Sequence, residues 1–109
     1  MNLQVLWTPI ALQSLSEVFE YTHKEFGERQ LHKLASQIYA VCGRLAIFPL
    51  SGKRESELAK ATGIEYRSII VIKELKLLYT ICDNTLFIEF VKNTRMDDTT
   101  MLERLFPNN

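Results

Sequence analysis

Apolar residues recur at steps of three and four through the first half of this chain, and gather into short runs in the second half. That change of period marks a passage from helix to strand. Ala11, Leu12, Leu15, Val18, Phe19, Thr22 and Phe26 make one stripe along a helix. Thr8-Pro9 begins it: Thr can cap, and Pro is tolerated at the first helical position because its missing N–H would have no partner there. Gly27 interrupts the stripe. Leu31, Leu34, Ala35, Ile38, Val41, Cys42, Leu45 and Phe48 form a second stripe, which Pro49 ends and Ser51-Gly52 follow as a loop. With only Gly27-Glu28 between them, the two helices should fold back as an antiparallel hairpin.

Leu3 to Trp7 reads as a first strand, with Trp7 packing it against the helices. Three β-branched and aromatic runs come later: Gly63 to Ile72, Lys76 to Asn84 and Leu86 to Arg95. Lys73-Glu74 and Asp83-Asn84 are their turns. Between Gly52 and Gly63 the chain is polar, with Leu58 as its apolar anchor, and reads as a loop or a single helical turn. A last short helix should span Asp98 to Phe106, capped by Asp97 or Asp98, with Thr100-x-x-Glu103 as a capping box. The order β-α-α-β-β-β-α implies an α+β fold: a small, twisted antiparallel sheet packed on an N-terminal helical hairpin, its other face partly exposed. Residues 1–109 are expected to form a single domain.

Each strand carries a cation near one end of its apolar run: Arg67, Lys76 and Arg95. Three cations from neighbouring strands suggest a site for phosphate or for a partner's carboxylates. Solvated charges paired with Glu65, Glu89 or Asp97 are the plainer alternative, and the register between strands decides which holds. Thirteen basic and thirteen acidic residues cancel, so long-range attraction to nucleic acid is not expected. At 47% apolar and 24% charged, the chain is ordinary globular protein. Cys42 and Cys82 lack metal-site spacing and read as buried free thiols. His23 and His32 read as surface residues, and Tyr66 and Tyr79 as packing. There is no leader-like start, and no run approaches the ~18 apolar residues of a membrane span, so a cytoplasmic protein is expected. Neither a metal-ligand cluster nor a Gly-rich phosphate loop is present, and no cofactor is implied.

Taken together, several segments resemble the toxins of the RelE/ParE superfamily, the toxin half of type II toxin–antitoxin modules. They are Trp7-Thr8-Pro9-x-Ala11-x-x-x-Leu15, Leu45-x-x-Phe48-Pro49-x-Ser51-Gly52-Lys53, Glu57-Leu58 with Glu65-Tyr66-Arg67-Ser68, and Leu75-Lys76-Leu77-Leu78-Tyr79-Thr80-Ile81. Their order and spacing carry the resemblance over nearly the whole chain. It implies a cytoplasmic toxin of a plasmid-stabilisation module, neutralised by a cognate antitoxin that alone touches operator DNA. ParE-like members inhibit DNA gyrase by binding it. RelE-like members, the alternative, are mRNA interferases that cleave mRNA on the ribosome without a metal. A toxin that has lost its activity and only binds its antitoxin is a second alternative. In a ribonuclease the resemblance would make Arg67, Lys76 and Arg95 catalytic. For binding it would add Lys60 and Lys92 to those three. An acidic antitoxin tail could then pair with Arg67, Lys76 and Arg95. Two departures weigh against the nuclease. Lys76 stands where arginine is usual and loses bidentate geometry. After Arg95 comes Met96-Asp97-Asp98 instead of a tyrosine or histidine.

Overall fold

The computed structural model describes residues 2–107. In chain order the elements are β1 (Gln4–Trp7), α1 (Pro9–Phe26), α2 (Glu28–Ile47), β2 (Lys53–Arg54), α3 (Ser56–Thr62), β3 (Arg67–Ile72), β4 (Leu75–Cys82), β5 (Thr85–Asn93) and α4 (Asp98–Leu105). Thr8 caps α1 as expected: its hydroxyl accepts the Ala11 N–H at 3.1 Å. Gly27 joins the helices at φ +89°, donating to the His23 carbonyl while its own carbonyl accepts from Leu31. That left-handed backbone favours glycine.

The sheet has five strands in the order β1-β5-β4-β3-β2 and is mixed, which corrects the antiparallel expectation. β1 lies parallel to β5, with Val5 opposite Leu86; the other pairings are antiparallel. The helical hairpin is the cause. Its tip at Phe26 shares a groove with Ile72, Leu75 and Asn93 at one end of the sheet, and α2 returns to the end where β1 began, the Leu3 N–H donating to the Ala46 carbonyl at 2.9 Å. β3 therefore runs with β1, and two tight turns bring β5 into the same direction. The two-residue β2, which the sequence did not reveal, pairs on the far edge.

One face of the sheet packs on the hairpin through Leu34, Ile38, Leu45, Leu77, Tyr79 and Ile88, with Trp7 against the same cluster. The stripes are narrower than expected. Leu12 is exposed because it sits one residue off the buried Ala11, while Phe26 and Phe48 are exposed as the last residue of α1 and the residue that caps α2. The opposite face is partly exposed, as expected, with Ile70 64% exposed there, but two helices cover the rest. Leu58 of α3 and Met101 of α4 pack there on Tyr66, Leu78 and Phe90. The segment from Gly52 to Gly63 is therefore a strand and a helix rather than a loop, and α3 stayed hidden because it buries one side chain only, Leu58.

A bulge in β5 sets which residues face which layer. Leu78 pairs with Phe90 but Tyr79 pairs with Ile88, so Glu89 is the extra residue. Leu86 and Ile88 face the hairpin before the bulge and Val91 after it, while Phe90 goes to the other layer. Ser14, buried in α1, accepts the Val91 N–H at 2.9 Å and donates to the Ala11 carbonyl at 2.8 Å. It ties α1 to the strand just beyond the irregularity, where a polar residue in an apolar stripe would otherwise be costly.

Asp97, not Thr100, caps α4: its carboxylate accepts the Thr100 N–H at 2.8 Å. Thr100 is thus the third residue of the helix and no capping box starts from it. Hydrogen bonds from the Thr100 backbone and then its side chain hold the Asp97 carboxyl below the ordinary aspartate range. Among the described residues no helix is long and apolar enough to cross a membrane.

The cysteines divide. Cys42 is half-buried and burial pushes its thiol up to about 11, whereas Cys82 is exposed, which corrects the expectation that both are buried. Cys82 closes β4 at the hairpin turn, where the layer covering the strand has ended. One fast and one slow thiol should therefore react with Ellman's reagent at pH 8 in the folded protein. Cys42 should be at least tenfold slower, and Cys82→Ser should remove the fast phase. Two equal phases would contradict this division.

Candidate functional site

The basic residues do not gather. Arg67 lies opposite Tyr79, a residue of the hairpin-side core, so it points to the hairpin face. There its Nη1 donates to the carbonyls of Gly52 at 2.9 Å and Leu50 at 3.3 Å, strapping down the loop after α2. Lys76 lies opposite Lys92 and Ile70, on the other face. The bulge at Glu89 puts Lys92 there; unbroken alternation from Leu86 and Ile88 would have turned it toward the helices.

Each of these two lysines is already neutralised. Lys76 Nζ is 3.3 Å from Glu55 Oε2, which also accepts from the Ser68 hydroxyl. Lys92 Nζ is 2.8 Å from Asp98 Oδ1, and its side chain is only 9% exposed. The two carboxylates precede or begin α3 and α4, so both lysines anchor a helix to the sheet. Lys60 stands exposed on α3, 3.6 Å from Glu57. Arg95 leaves the sheet altogether in the turn after β5, where its backbone N–H donates to Asn93 Oδ1 at 2.8 Å. Among the described residues its guanidinium makes no ion pair.

Among the described residues no acid–base pair flanks these cations. Burial, and after it the charge of Glu89, pushes the Tyr66 hydroxyl up to about 12. Burial also raises the Tyr79 hydroxyl, against the lowering effects of the Gly52 N–H and of Arg67. Both tyrosines are buried packing residues, as the sequence suggested. His23 and His32 are exposed on the two long helices, with His32 3.5 Å from Glu28. Among the described residues no three His, Cys, Asp or Glu side chains come together to hold a metal.

Three surface features stand where a partner could bind. An open groove of about 720 Å³ runs between the helical hairpin and the end of the sheet, with Glu17, Tyr21, Phe26, Lys33 and Arg95 on its walls. At its rim Tyr21 and Phe26 are 59% and 62% exposed and meet edge-to-face, with ring centroids 6.3 Å apart. The second feature is a strand edge. β2 pairs only with Arg67 and Ser68, so the outer edge of Ile69-Ile70-Val71-Ile72 has no strand beside it among the described residues. An apolar, β-branched edge of this kind invites another strand. The third is a cleft of about 580 Å³ near Thr8, Tyr66 and Glu89, on the face that carries α4. Arg95 is the one sequence candidate that takes part in any of the three. The counter-ions Glu55 and Asp98 and the aromatic rim escaped sequence reading, since a polar loop residue and an apolar stripe residue carry no mark of their eventual partners.

A family model described as the ParE toxin of the type II toxin–antitoxin system parDE matches residues 5–98. Among solved structures, the chain superposes on one from a chromosomal ParDE toxin–antitoxin system of P. aeruginosa with a TM-score of 0.68. The identity is 15%, over 84% of this chain and 96% of that one, a likeness of fold. No curated protein matches the chain in sequence.

Proposed function

We propose that this chain, which belongs to the ParE toxin family of type II toxin–antitoxin systems, stops growth by binding a protein target, DNA gyrase, rather than by cutting RNA. Membership makes it the toxin of a module and implies a cognate antitoxin. What carries the choice of mechanism is the dispersal of its cations. Cleaving a phosphodiester needs a base, an acid and a cation converging on one phosphate. Here Arg67 faces one layer, Lys76 and Lys92 face the other, and Glu55 and Asp98 already hold the two lysines. An acidic antitoxin tail reaching for the trio would have to displace Glu55 and would meet the cations on separate surfaces.

Binding asks for different features, and the hairpin has them. Exposed aromatic side chains beside a groove are the usual anchors of a protein interface. Tyr21, Phe26 and Arg95 are the contacts we assign to the target, and the open edge at Ile69–Ile72 the place for an extended antitoxin segment.

Induced expression in a bacterial host, with pulse labelling and 5′-end mapping of mRNA, tests this. DNA synthesis should stop, cells should filament and mRNA should remain intact. Purified toxin should inhibit gyrase supercoiling, and Tyr21→Ala with Phe26→Ala should weaken that inhibition at least tenfold. A halt in protein synthesis with new in-frame mRNA ends would overturn the proposal in favour of the ribonuclease. A folded protein without any growth defect would leave antitoxin binding as its remaining role.

A further inference from the structure

The cleft beside Glu89 holds two polar groups whose hydrogen-bonding capacity the described residues leave partly unmet. Its walls are apolar, from Pro9, Ile10, Ile64 and Leu105. Glu89, the bulge residue, turns its carboxylate there, and Oε2 accepts from the Thr80 hydroxyl at 2.6 Å. Among the described residues its other oxygen takes no hydrogen bond, and no cation pairs with it. Tyr66 is 3% exposed, yet its hydroxyl bonds to no described residue and is not sealed from solvent, so it opens into the cleft. Buried tyrosines ordinarily find a partner. Tyr66 and Glu89 line the same cleft.

We infer that this cleft receives an arginine side chain of the cognate antitoxin, flanked by apolar residues. The inference rests on the chain having such an antitoxin. An anion is excluded by Glu89, and a purely apolar group would strand both polar atoms. A guanidinium satisfies each of them: one N–H donates to the open carboxylate oxygen and another to the phenol oxygen. Its three-carbon stem fits against Ile10 and Leu105. Apolar neighbours of the arginine would cover Ile64, which is 38% exposed at the mouth. The site lies on the sheet face opposite the hairpin, so it leaves the aromatic rim of the hairpin free.

The probe is a capped tripeptide, Ac-Ile-Arg-Leu-NH2, titrated into labelled protein and followed by NMR, with norleucine in place of arginine as control. The arginine peptide should give saturable shifts at Ile64, Thr80 and Glu89. The norleucine peptide should bind at least tenfold more weakly, and Glu89→Gln, which keeps the Thr80 hydrogen bond, should remove the difference. Tyr66→Phe should weaken the arginine peptide several-fold. Equal binding of both peptides, or indifference to Glu89→Gln, would overturn the inference. In the intact complex, Glu89→Gln should lower antitoxin affinity about tenfold. Unchanged affinity for a wild-type protein that does bind antitoxin defeats the inference alone. Failure of the wild-type protein to bind antitoxin defeats the partner reading as well.

Discussion

Gly52→Ala should destabilise the protein by about 3 kcal/mol or more, measured as a lowered urea midpoint with an unchanged slope. Gly52 is buried under the sheet, and a Cβ there would collide with the Tyr79 hydroxyl, sit 2.7 Å from the Ser68 carbonyl oxygen and 2.8 Å from Tyr79 Cε1. Neither neighbour can move freely. Tyr79 is fully buried; its hydroxyl accepts the Gly52 N–H at 3.0 Å and donates to the Pro49 carbonyl at 2.7 Å. Ser68 is backbone in β3, paired with Leu78 on one side and Lys53 on the other. Arg67 adds a third restraint through the Gly52 carbonyl. Tyr79→Phe alone should cost about 1–3 kcal/mol, because it strands the Gly52 N–H. In that background Gly52→Ala should cost less, since one of the colliding atoms is gone. Strictly additive costs would mean that the loop shifts away and the collision is not the cause.

Asp98→Ala should cost about 2–3 kcal/mol, while Lys92→Met should change stability by less than about 1 kcal/mol. The asymmetry follows from burial. The Lys92 side chain is 9% exposed and that of Asp98 is 47% exposed. Removing the carboxylate leaves an ammonium stranded under α4 without its ion-pair partner. Removing the ammonium leaves a carboxylate that water can reach, and methionine fills the space. Equal costs for the two substitutions, by chemical denaturation at pH 7, would mean the pair is solvated and does not anchor the helix. The same experiment bears on function. If Lys92 is an anchor, Lys92→Met should leave gyrase inhibition unchanged.

The family resemblance and the helical hairpin were legible because both are patterns of apolar residues. Ala11, Leu15, Val18 and then Leu34, Ile38, Val41 and Leu45 need only a helical period to be recognised, and Thr8-Pro9 and Gly27 mark where it starts and stops. The turns at Lys73-Glu74 and Asp83-Asn84 follow from local chemistry in the same way. α3 was not legible, since one buried leucine in a polar segment makes no period. β2 was not legible either, because two residues cannot. The parallel pairing of β1 was not legible for another reason: it follows from α2 ending beside Leu3, a contact between residues far apart in the chain.

The candidate site shows the same division. Which residues are cations was plain from the sequence, and so was the run Met96-Asp97-Asp98 after Arg95, with no tyrosine or histidine in it. Where they point was not. Side chains alternate along a strand, so a shift of one residue moves a lysine from one face to the other. Register between Arg67 and Tyr79, and the bulge at Glu89, are cooperative outcomes of packing two layers on both faces at once. Local sequence therefore determined the helical hairpin, the longer strands, the last helix and the family. Only the tertiary structure decided the direction of β1, the face taken by each cation and the carboxylate that holds it, because each depends on contacts between residues far apart in the chain.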